Sequence, residues 1–277
     1  MEIYNHFTLN KNRHTIAWNH IREFGIECEC IDDLCVVDIS ENNPQWCKLS
    51  QVLKLDNISY SSQTKFDKNE LSSSEWLTVR SRWYYDYPQP ENQYTKITYI
   101  KDDICSNSDC GIGMNQNDLF RFKRTPKWGK RNFCMTNWVY DELFVSAKAR
   151  ELMENSDLKG FSFLKVKNKN GKEFLSDIYQ LMIPCILQEG IADLSRRIDE
   201  IYVCPKCGKQ KFRSNNRGEF VFKKEAFINA PDFVKSAEWF GGGAGASKLI
   251  LVSQKAYRFI TENKLDSSLV FEPISIV

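Results

Sequence analysis

The chain has few histidines, little net charge and no long apolar run. Three histidines occur among 277 residues, and 38 basic side chains against 36 acidic ones leave a net charge of +2. This balance lacks the strongly basic character of a dedicated nucleic-acid binder. The longest mainly apolar stretch without a charge, residues 178–187, is too short to span a bilayer. The first residues lack the pattern of a secretory signal, so we expect a cytoplasmic protein with no membrane partner.

Recognisable catalytic motifs are also missing. The sequence contains no HExxH and no Gly-x-Ser-x-Gly, and His6, His14 and His20 all lie near the start. The glycine-rich run at 241–248 lacks the Gly-Lys-Ser/Thr ending of a Walker loop, which favours a flexible surface insertion over a phosphate site. These absences leave catalysis without a candidate residue. The missing motifs do not exclude an enzyme with an unrecognised site, but we expect a protein that is not an enzyme.

The second half of the chain contains an internal similarity. Residues 143–166 match residues 249–274, and in each stretch apolar residues at i, i+4, i+7 and i+8 form one helical face. A serine precedes each face, which predicts N-capped helices over about 147–155 and 254–263. The residues of these two faces are Val145, Ala149, Leu152 and Met153, and Val252, Ala256, Phe259 and Ile260.

The similarity extends upstream and predicts the fold class. Asp118-Leu119-Phe120 precedes the first helix, Asp232-Phe233 precedes the second, and before each lies a cysteine pair closed by glycine. We expect an α+β protein with two parts. A β-rich N-terminal segment, 1–100, precedes a duplicated strand-helix-strand unit, 101–277, with copies at about 105–182 and 204–277. The predicted strands of the first segment include residues 76–85 and 94–100, and a partial helical period covers 183–201.

The paired cysteines predict a metal site. Zinc takes four ligands in a tetrahedron, and a short Cys-x(2–4)-Cys loop places two thiolates on one ion. Two such loops at the same place in a duplicated unit would complete a structural zinc site that clamps the two copies together. Four free cysteines, or a redox-active CxxC at 204–207, are the alternatives. The predicted ligands of one zinc ion are Cys105, Cys110, Cys204 and Cys207.

The other cysteines carry weaker signals. A second metal site could form from Cys28, Cys30, Cys35 and Cys47. Buried thiols are favoured, because these cysteines are not followed by the glycine that closes a zinc-knuckle loop. Cys134 and Cys185 lie in apolar runs, which predicts that both belong to the core.

Two basic stretches suggest an alternative function. Residues 121–131 carry six basic side chains and no acidic one, while residues 204–224 carry seven basic side chains and a single glutamate. Phenylalanines at 212, 220 and 222 interleave with the second stretch, as in nucleic-acid-binding zinc knuckles. A solvated face or a docking surface for an acidic protein explains the same residues.

With these landmarks, the sequence resembles the bacterial double-CXXCG-motif proteins. The resemblance is carried by YVCPKCGK at 202–209, by Asp232-Phe233, by LVSQKAYRFI at 251–260 and by the first copy, so it covers roughly residues 100–277. The first cysteine pair reads CxxxxCG where the family has CxxCG. The family consists of immunity proteins of polymorphic toxin systems. The resemblance therefore implies a non-enzymatic protein that binds and neutralises a cognate toxin, without indicating the contact residues.

Overall fold

The computed structural model describes residues 1–101, 105, 110–192 and 197–277. The fold is α+β and rich in strands, and the chain divides into two compact units. The first unit contains residues 1–70 and 215–219, and the second contains residues 71–214 and 220–277. Among the residues described, no helix has the length and apolar character needed to cross a membrane.

The secondary structure of the described residues is as follows. The helices are α1 Thr15–Glu23, α2 Trp46–Leu55, α3 Lys68–Ser73, α4 Tyr94–Thr98, α5 Ala147–Glu154 and α6 Gln254–Glu262. The strands are β1 Glu2–Asn10, β2 Glu29–Ile31, β3 Leu34–Ser40, β4 Ser61–Lys65, β5 Trp76–Ser81, β6 Tyr99–Lys101, β7 Met114–Gln116, β8 Arg121–Phe122, β9 Phe133–Thr136, β10 Val139–Val145, β11 Ser162–Asn168, β12 Phe174–Met182, β13 Ile198–Val203, β14 Gln210–Ser214, β15 Phe220–Phe222, β16 Phe233–Lys235, β17 Trp239–Phe240, β18 Ile250–Ser253 and β19 Leu269–Ile276.

The first unit is a four-stranded sheet with helices packed on it. The strand order is β2-β3-β1-β4, and α1 and α2 contribute buried apolar residues to the core beside Phe7 and Val37. Helix α2 follows from the spacing of Trp46, Leu49 and Leu53, which are all buried. The expectation of a mainly β segment missed these helices, because α1 buries only two residues and its remaining positions are polar or partly exposed.

The second unit contains two five-stranded sheets of matching order. One runs β8-β11-β12-β10-β9, and the other runs β15-β19-β5-β18-β16. The first strand of each order pairs in parallel with its neighbour, and the other pairings are antiparallel. The third position is occupied by β12 in one sheet and by β5 in the other. Residues 76–81, predicted as part of the N-terminal segment, are thus the central strand of a sheet otherwise made from residues 220–276.

The two capped helices confirm the predictions for 147–155 and 254–263. The Ser146 hydroxyl accepts a hydrogen bond from the Ala149 N–H, and the Ser253 hydroxyl accepts one from the Ala256 N–H, both at 3.2 Å. Each helix ends one residue earlier than predicted, at Glu154 and at Glu262. The caps were predictable because they depend on residues close together in the chain.

Each N-cap serine donates a hydrogen bond to a residue that lies before a phenylalanine. In the first copy this residue differs from the one that the sequence match predicted. Ser146 donates its hydroxyl hydrogen to Asn132 Oδ1, and Ser253 donates its own to Asp232 Oδ1. Each acceptor directly precedes a phenylalanine, and those phenylalanines pair with Val145 and Val252 in the strand register. Asn132-Phe133, rather than Asp118-Leu119-Phe120, therefore occupies the place of Asp232-Phe233. The sequence match was wrong because it required an acidic residue where an amide serves equally well.

Asp118 has a different role. Its carboxylate accepts hydrogen bonds from Lys167 Nζ and Arg121 Nη2, both at 2.8 Å. The bond from Lys167 is the main cause that lowers the pKa of Asp118 to about 2, with a further contribution from Arg121. This ion pair links the segment before β8 to β11.

Two predicted elements differ in the structure. The strand predicted at 94–100 is α4 followed by the short strand β6, and the helix predicted at 183–201 is absent from the described part of that range. Residues 186 and 191 instead form isolated bridges with Lys235 and Phe222, and β13 begins at residue 198. Pro184 and Gly190 weaken the helix, and a Cβ on Gly190 would lie 2.6 Å from the Ala226 Cβ. Residues 193–196 lie outside the described residues.

The position of β5 leads to a truncation test. A chain that starts at residue 71 should retain a cooperative thermal transition, because it keeps every strand of both five-stranded sheets. A chain that starts at residue 101 should lose that transition, since removal of a central strand leaves β18 and β19 without their shared partner. Circular dichroism during heating measures both. Equal melting of the two truncated chains would contradict the assignment of β5.

Candidate metal centre

The two cysteine pairs lie in the loops of two β-hairpins. Cys105 and Cys110 fall between β6 and β7, whose register pairs Tyr99 with Gln116. Cys204 and Cys207 fall between β13 and β14, whose register pairs Val203 with Gln210. Antiparallel strand pairing joins the two ends of each loop, so the backbone is held by a strand before and after each cysteine pair. Residues 106–109, the spacer of the first pair, lie outside the described residues.

The structure brings all four predicted ligands together. Cys105 Sγ lies 3.6 Å from Cys204 Sγ, and Cys110 Sγ lies 3.8 Å from Cys207 Sγ. All four sulfur atoms lie within 4.8 Å of one another. Each of these two contacts joins one hairpin to the other. The cluster therefore crosslinks two segments that are about 100 residues apart in the chain.

The sulfur atoms of the cluster are largely buried, which disfavours the thiolate form in the absence of a cation. Cys105, Cys110 and Cys204 are buried, and Cys207 is half-buried. Burial, together with hydrogen bonds among the thiols, raises the pKa of Cys110 to about 12. A positive ion reverses this preference because it stabilises the thiolate form, which is the form that binds metals. The four cysteines could hold a metal ion.

A glycine follows the second cysteine of each pair and closes the loop. Gly111 and Gly208 both have φ of +69°, a backbone conformation that is costly for residues with a Cβ. Gly208 donates its N–H to the Cys204 carbonyl at 2.9 Å, which turns the chain back under the cysteines. Positive φ thus explains why glycine occupies both positions.

Gly111 has a second constraint, which comes from the glycine-rich run 241–248. A Cβ on Gly111 would lie 2.0 Å from the Ala244 carbonyl oxygen, whereas a Cβ on Gly208 would meet nothing within 4 Å. Ala246 and Trp239 also pack against the cysteine cluster. Residues 241–245 are exposed, as predicted for a surface insertion, while the backbone of the run packs on the candidate metal centre.

Lysines hold this run in place. Lys211 is buried and donates hydrogen bonds from its ammonium to the carbonyls of Gly243 and Gly245. The Lys248 ammonium donates to the carbonyl of Ser236 at 3.1 Å and lies 4.2 Å from the centre of the Trp239 ring. Burial lowers the pKa of Lys248 to about 8. Two carbonyl oxygens of the run face an ammonium, so the run lacks the inward ring of N–H groups that a phosphate needs.

The basic stretches 121–131 and 204–224 are only partly available to a ligand. Within the second unit, Lys123 pairs with Glu91 at 2.8 Å and Arg213 lies 3.8 Å from Glu200. Lys127, Lys130 and Lys206 are exposed. The interleaved phenylalanines of the second stretch, which a nucleic-acid surface would use for stacking, are buried in the core: Phe212, Phe220 and Phe222.

The histidines and remaining cysteines have separate environments. His6 contacts Asp38 at 2.9 Å, His14 accepts from the Asn10 N–H, and the ring of His20 packs on Phe24. The histidines thus serve local contacts of the first unit.

Cys134 is fully buried, which confirms its core role, and Cys185 is half-buried. The favoured expectation of buried thiols at 28–47 is wrong for Cys30 and Cys35, which form a disulfide because they face each other across β2 and β3, and for the exposed Cys47. Cys28 and Cys47 are free, and Cys47 is exposed.

Sequence reasoning missed a partly exposed group of rings, here called the aromatic patch, in which Tyr87 and Tyr94 are half-buried. Its members are Tyr84, Tyr87, Tyr94, Trp138 and Tyr140. Trp138 is 48% exposed and Tyr140 is 53% exposed, although each ring also contacts a neighbouring ring. The ring centroids of Tyr87 and Trp138 are 4.5 Å apart. Because the rings come from three separate segments of the chain, only the density of tyrosine and tryptophan at 83–94 and 138–140 could have indicated them.

The backbone holds the aromatic patch in position. Trp138 has φ of +70° and Asp86 has φ of +54°, values that are unusual for residues with side chains. The Asp86 carbonyl accepts hydrogen bonds from Thr136 Oγ1 at 3.0 Å and Asn137 Nδ2 at 2.8 Å. Side chains beside the tryptophan thus fix its turn. The positive φ of Trp138 belongs to the two-residue turn that joins β9 to β10.

No protein-family model matches this chain, and a search of curated proteins finds no significant match.

Loss of one cysteine pair should unfold the region around the cluster. Cys204→Ser with Cys207→Ser should abolish retention of the metal and lower the free energy of unfolding by at least about 3 kcal/mol, because metal binding contributes to folding. Urea denaturation and metal analysis of the purified variant measure both effects. Cys47→Ser, which changes an exposed cysteine outside the cluster, is the matched control. Wild-type stability in the double variant would show that the cluster has no structural role.

The two glycines provide a second test with an internal control. Gly208→Ala should lower the free energy of unfolding by about 1 kcal/mol, since it strains only φ. Gly111→Ala should lower it by at least about 3 kcal/mol, because its Cβ also displaces the backbone at Ala244. It should also speed removal of the metal by a chelator. Equal effects of the two substitutions would show that the glycine-rich run does not pack on the cluster.

Proposed function

We propose that the protein is an immunity protein that binds and neutralises a cognate bacterial toxin, and that its four paired cysteines hold one structural zinc ion. The observation that carries the proposal is the convergence of Cys105, Cys110, Cys204 and Cys207, since these pairs are also the landmarks of the family resemblance. The resemblance supplies the biological role. The geometry supports the kind of scaffold that this role requires.

The sulfur positions fit zinc. A tetrahedral zinc with Zn–S bonds of about 2.3 Å separates its sulfur ligands by about 3.8 Å. Two sulfur–sulfur contacts between the hairpins, 3.6 and 3.8 Å, agree with this separation. Four protein ligands leave no position for water or substrate, so the ion would be structural. Its role would be to fix the two hairpins to each other.

The matching sheets support a duplication. Both sheets have the same order of parallel and antiparallel pairings, and both N-cap serines bond to the residue before a paired phenylalanine. In this proposal the first copy ends with β12, and β5 takes the equivalent place in the second copy. Strand β5, which precedes both copies in the chain, then completes the second sheet. The second unit therefore supplies every strand of that sheet itself.

We propose the aromatic patch as the surface that contacts the toxin. Exposed tryptophan and tyrosine are enriched among the residues that dominate binding at protein interfaces. The ring contacts and the fixed turn at Trp138 reduce the entropy lost on binding, because the side chains are already ordered. A rigid, metal-clamped scaffold serves an inhibitor for the same reason.

The alternative function, nucleic-acid binding through 121–131 and 204–224, has less support. The exposed lysines at 127, 130 and 206 remain available for phosphate contacts. Stacking on phenylalanine, however, would require rings that are buried in the core. What remains is an electrostatic surface, to which the exposed Arg124, Lys223 and Lys224 also contribute, and its binding would fall steeply with salt.

An affinity pull-down from native cell extract tests the proposal. Tagged wild-type protein should retain one stoichiometric protein partner after nuclease treatment and at high salt. Trp138→Ala should weaken that complex at least tenfold, as expected for an interface tryptophan. Phe174→Ala, which removes another exposed ring from the same unit, is the matched control and should bind normally.

Two outcomes of the pull-down would contradict parts of this proposal. Recovery of nucleic acid that is lost at high salt would favour the alternative function. A protein partner that binds wild type and Trp138→Ala equally would preserve the immunity role but remove the aromatic patch from the interface.

A further inference from the structure

The first unit contains a second group of sulfur atoms, here called the cysteine trio: Cys28, Cys30 and Cys35. Its three Sγ atoms all lie within 4.8 Å of one another. Cys30 and Cys35 are joined as a disulfide, and the free thiol of Cys28 lies 3.6 Å from Cys30 Sγ. A free thiol beside a disulfide means that reduction of one bond would create three adjacent thiols.

We propose that the cysteine trio is a redox-gated metal site, which binds a soft, thiophilic cation through three thiolates when the disulfide is reduced. Soft thiolate ligands select such cations over harder ones. The same sulfur atoms cannot form the disulfide and bind the metal together. Oxidation and metal binding are therefore exclusive states of this site.

The fold holds the trio in place without the disulfide. Cys30 and Cys35 are register partners in the β2–β3 hairpin, so backbone pairing keeps their side chains adjacent after reduction. Cys35 is fully buried and packs in the core of the first unit. Cys30 is exposed and Cys28 is half-buried, so an ion or a reductant can approach from the solvent side.

The local charge favours a cation over an anionic thiol compound. Residues 24–47 contain no lysine, arginine or histidine. Acidic residues at 27, 29, 32 and 33 flank the trio, and all four are exposed. Lys11 reaches the hairpin at the Asp32 carbonyl, which leaves the surroundings acidic overall. This field attracts metal ions and repels an anionic monothiol that would otherwise form a mixed disulfide with Cys30.

A dithiol is the reductant that opens the Cys30–Cys35 disulfide in this proposal. The dithiol transfers two electrons and two protons to the Cys30–Cys35 bond, forming two thiols, and itself becomes a disulfide. The three cysteine thiols then release three protons as they bind one metal ion. In the reverse direction, a small-molecule disulfide accepts two electrons from the Cys30 and Cys35 thiolates and becomes two thiols as the Cys30–Cys35 bond forms again. The ion leaves, and Cys28 takes up a proton.

Metal counting by native mass spectrometry of the full chain tests this site, with Cd²⁺ as the probe. Disulfide mapping should first find Cys30–Cys35 as the bond in the oxidised protein. Reduction should then allow one more Cd²⁺ to bind than the oxidised chain holds. An oxidant should release that ion. The ions that are common to both states belong to the four-cysteine cluster, so failure here is distinguishable from failure of the proposed function.

Single substitutions identify the ligands. Cys28→Ser should raise the dissociation constant of the additional Cd²⁺ at least tenfold, while Cys47→Ser, outside the trio, should leave it unchanged. Bound Cd²⁺ should protect Cys30 and Cys35 from alkylation, which reports on the site even if a variant is less stable. Equal metal counts in the two redox states, absence of the mapped disulfide, or normal binding by Cys28→Ser would overturn the proposal.

Discussion

Four thiols from two hairpins of the second unit lie against one another. Buried thiols in contact gain little from each other as neutral groups, and the raised pKa of Cys110 shows that burial opposes their ionisation. A cation shared by all four changes this balance, because each thiolate is then stabilised by the same charge. The two hairpins and the glycine-rich run share this one cluster.

The glycine-rich run illustrates how the cluster constrains its surroundings. Its backbone contacts Gly111 so closely that a side chain there has no room, and its carbonyls bind the buried ammonium of Lys211. A sequence rich in glycine commonly indicates flexibility or phosphate binding. Here glycine permits a close approach of two backbones beside the candidate metal centre.

Local signals in the sequence predicted local structure well. The capped helices at Ser146 and Ser253 follow from residues only a few positions apart. The four cysteines were predictable as a group, since two short Cys-x(2–4)-Cys loops together supply the four ligands of a zinc ion. The helix predicted across Pro184 failed because a partial apolar period cannot outweigh a proline and a closely packed glycine.

Pairings between distant residues were not predictable in the same way. Strand β5 belongs with β18 and β19, about 175 or more residues later in the chain, and nothing in its own six residues indicates those partners. The aromatic patch combines three segments. The Cys30–Cys35 disulfide depends on strand register, which cysteine positions along the chain do not contain.

A rigid scaffold with an exposed aromatic surface is consistent with a protein that acts by binding. The proposed duplication explains why the unit contains two similar sheets and why each of two hairpins supplies one cysteine pair to the cluster, and the addition of β5 explains how the second sheet is completed. The cluster, the sheets and the aromatic patch all belong to the same unit. In this proposal the cluster and the sheets hold the aromatic patch in an ordered arrangement. A chain of near-neutral charge can then bind a partner through that patch.

X-ray absorption spectroscopy at the zinc edge, on protein purified without added metal, tests the central claim most directly. The account predicts one zinc ion per oxidised chain, with four sulfur neighbours at about 2.3 Å. Absence of zinc from folded protein, or nitrogen and oxygen among its ligands, would contradict the account.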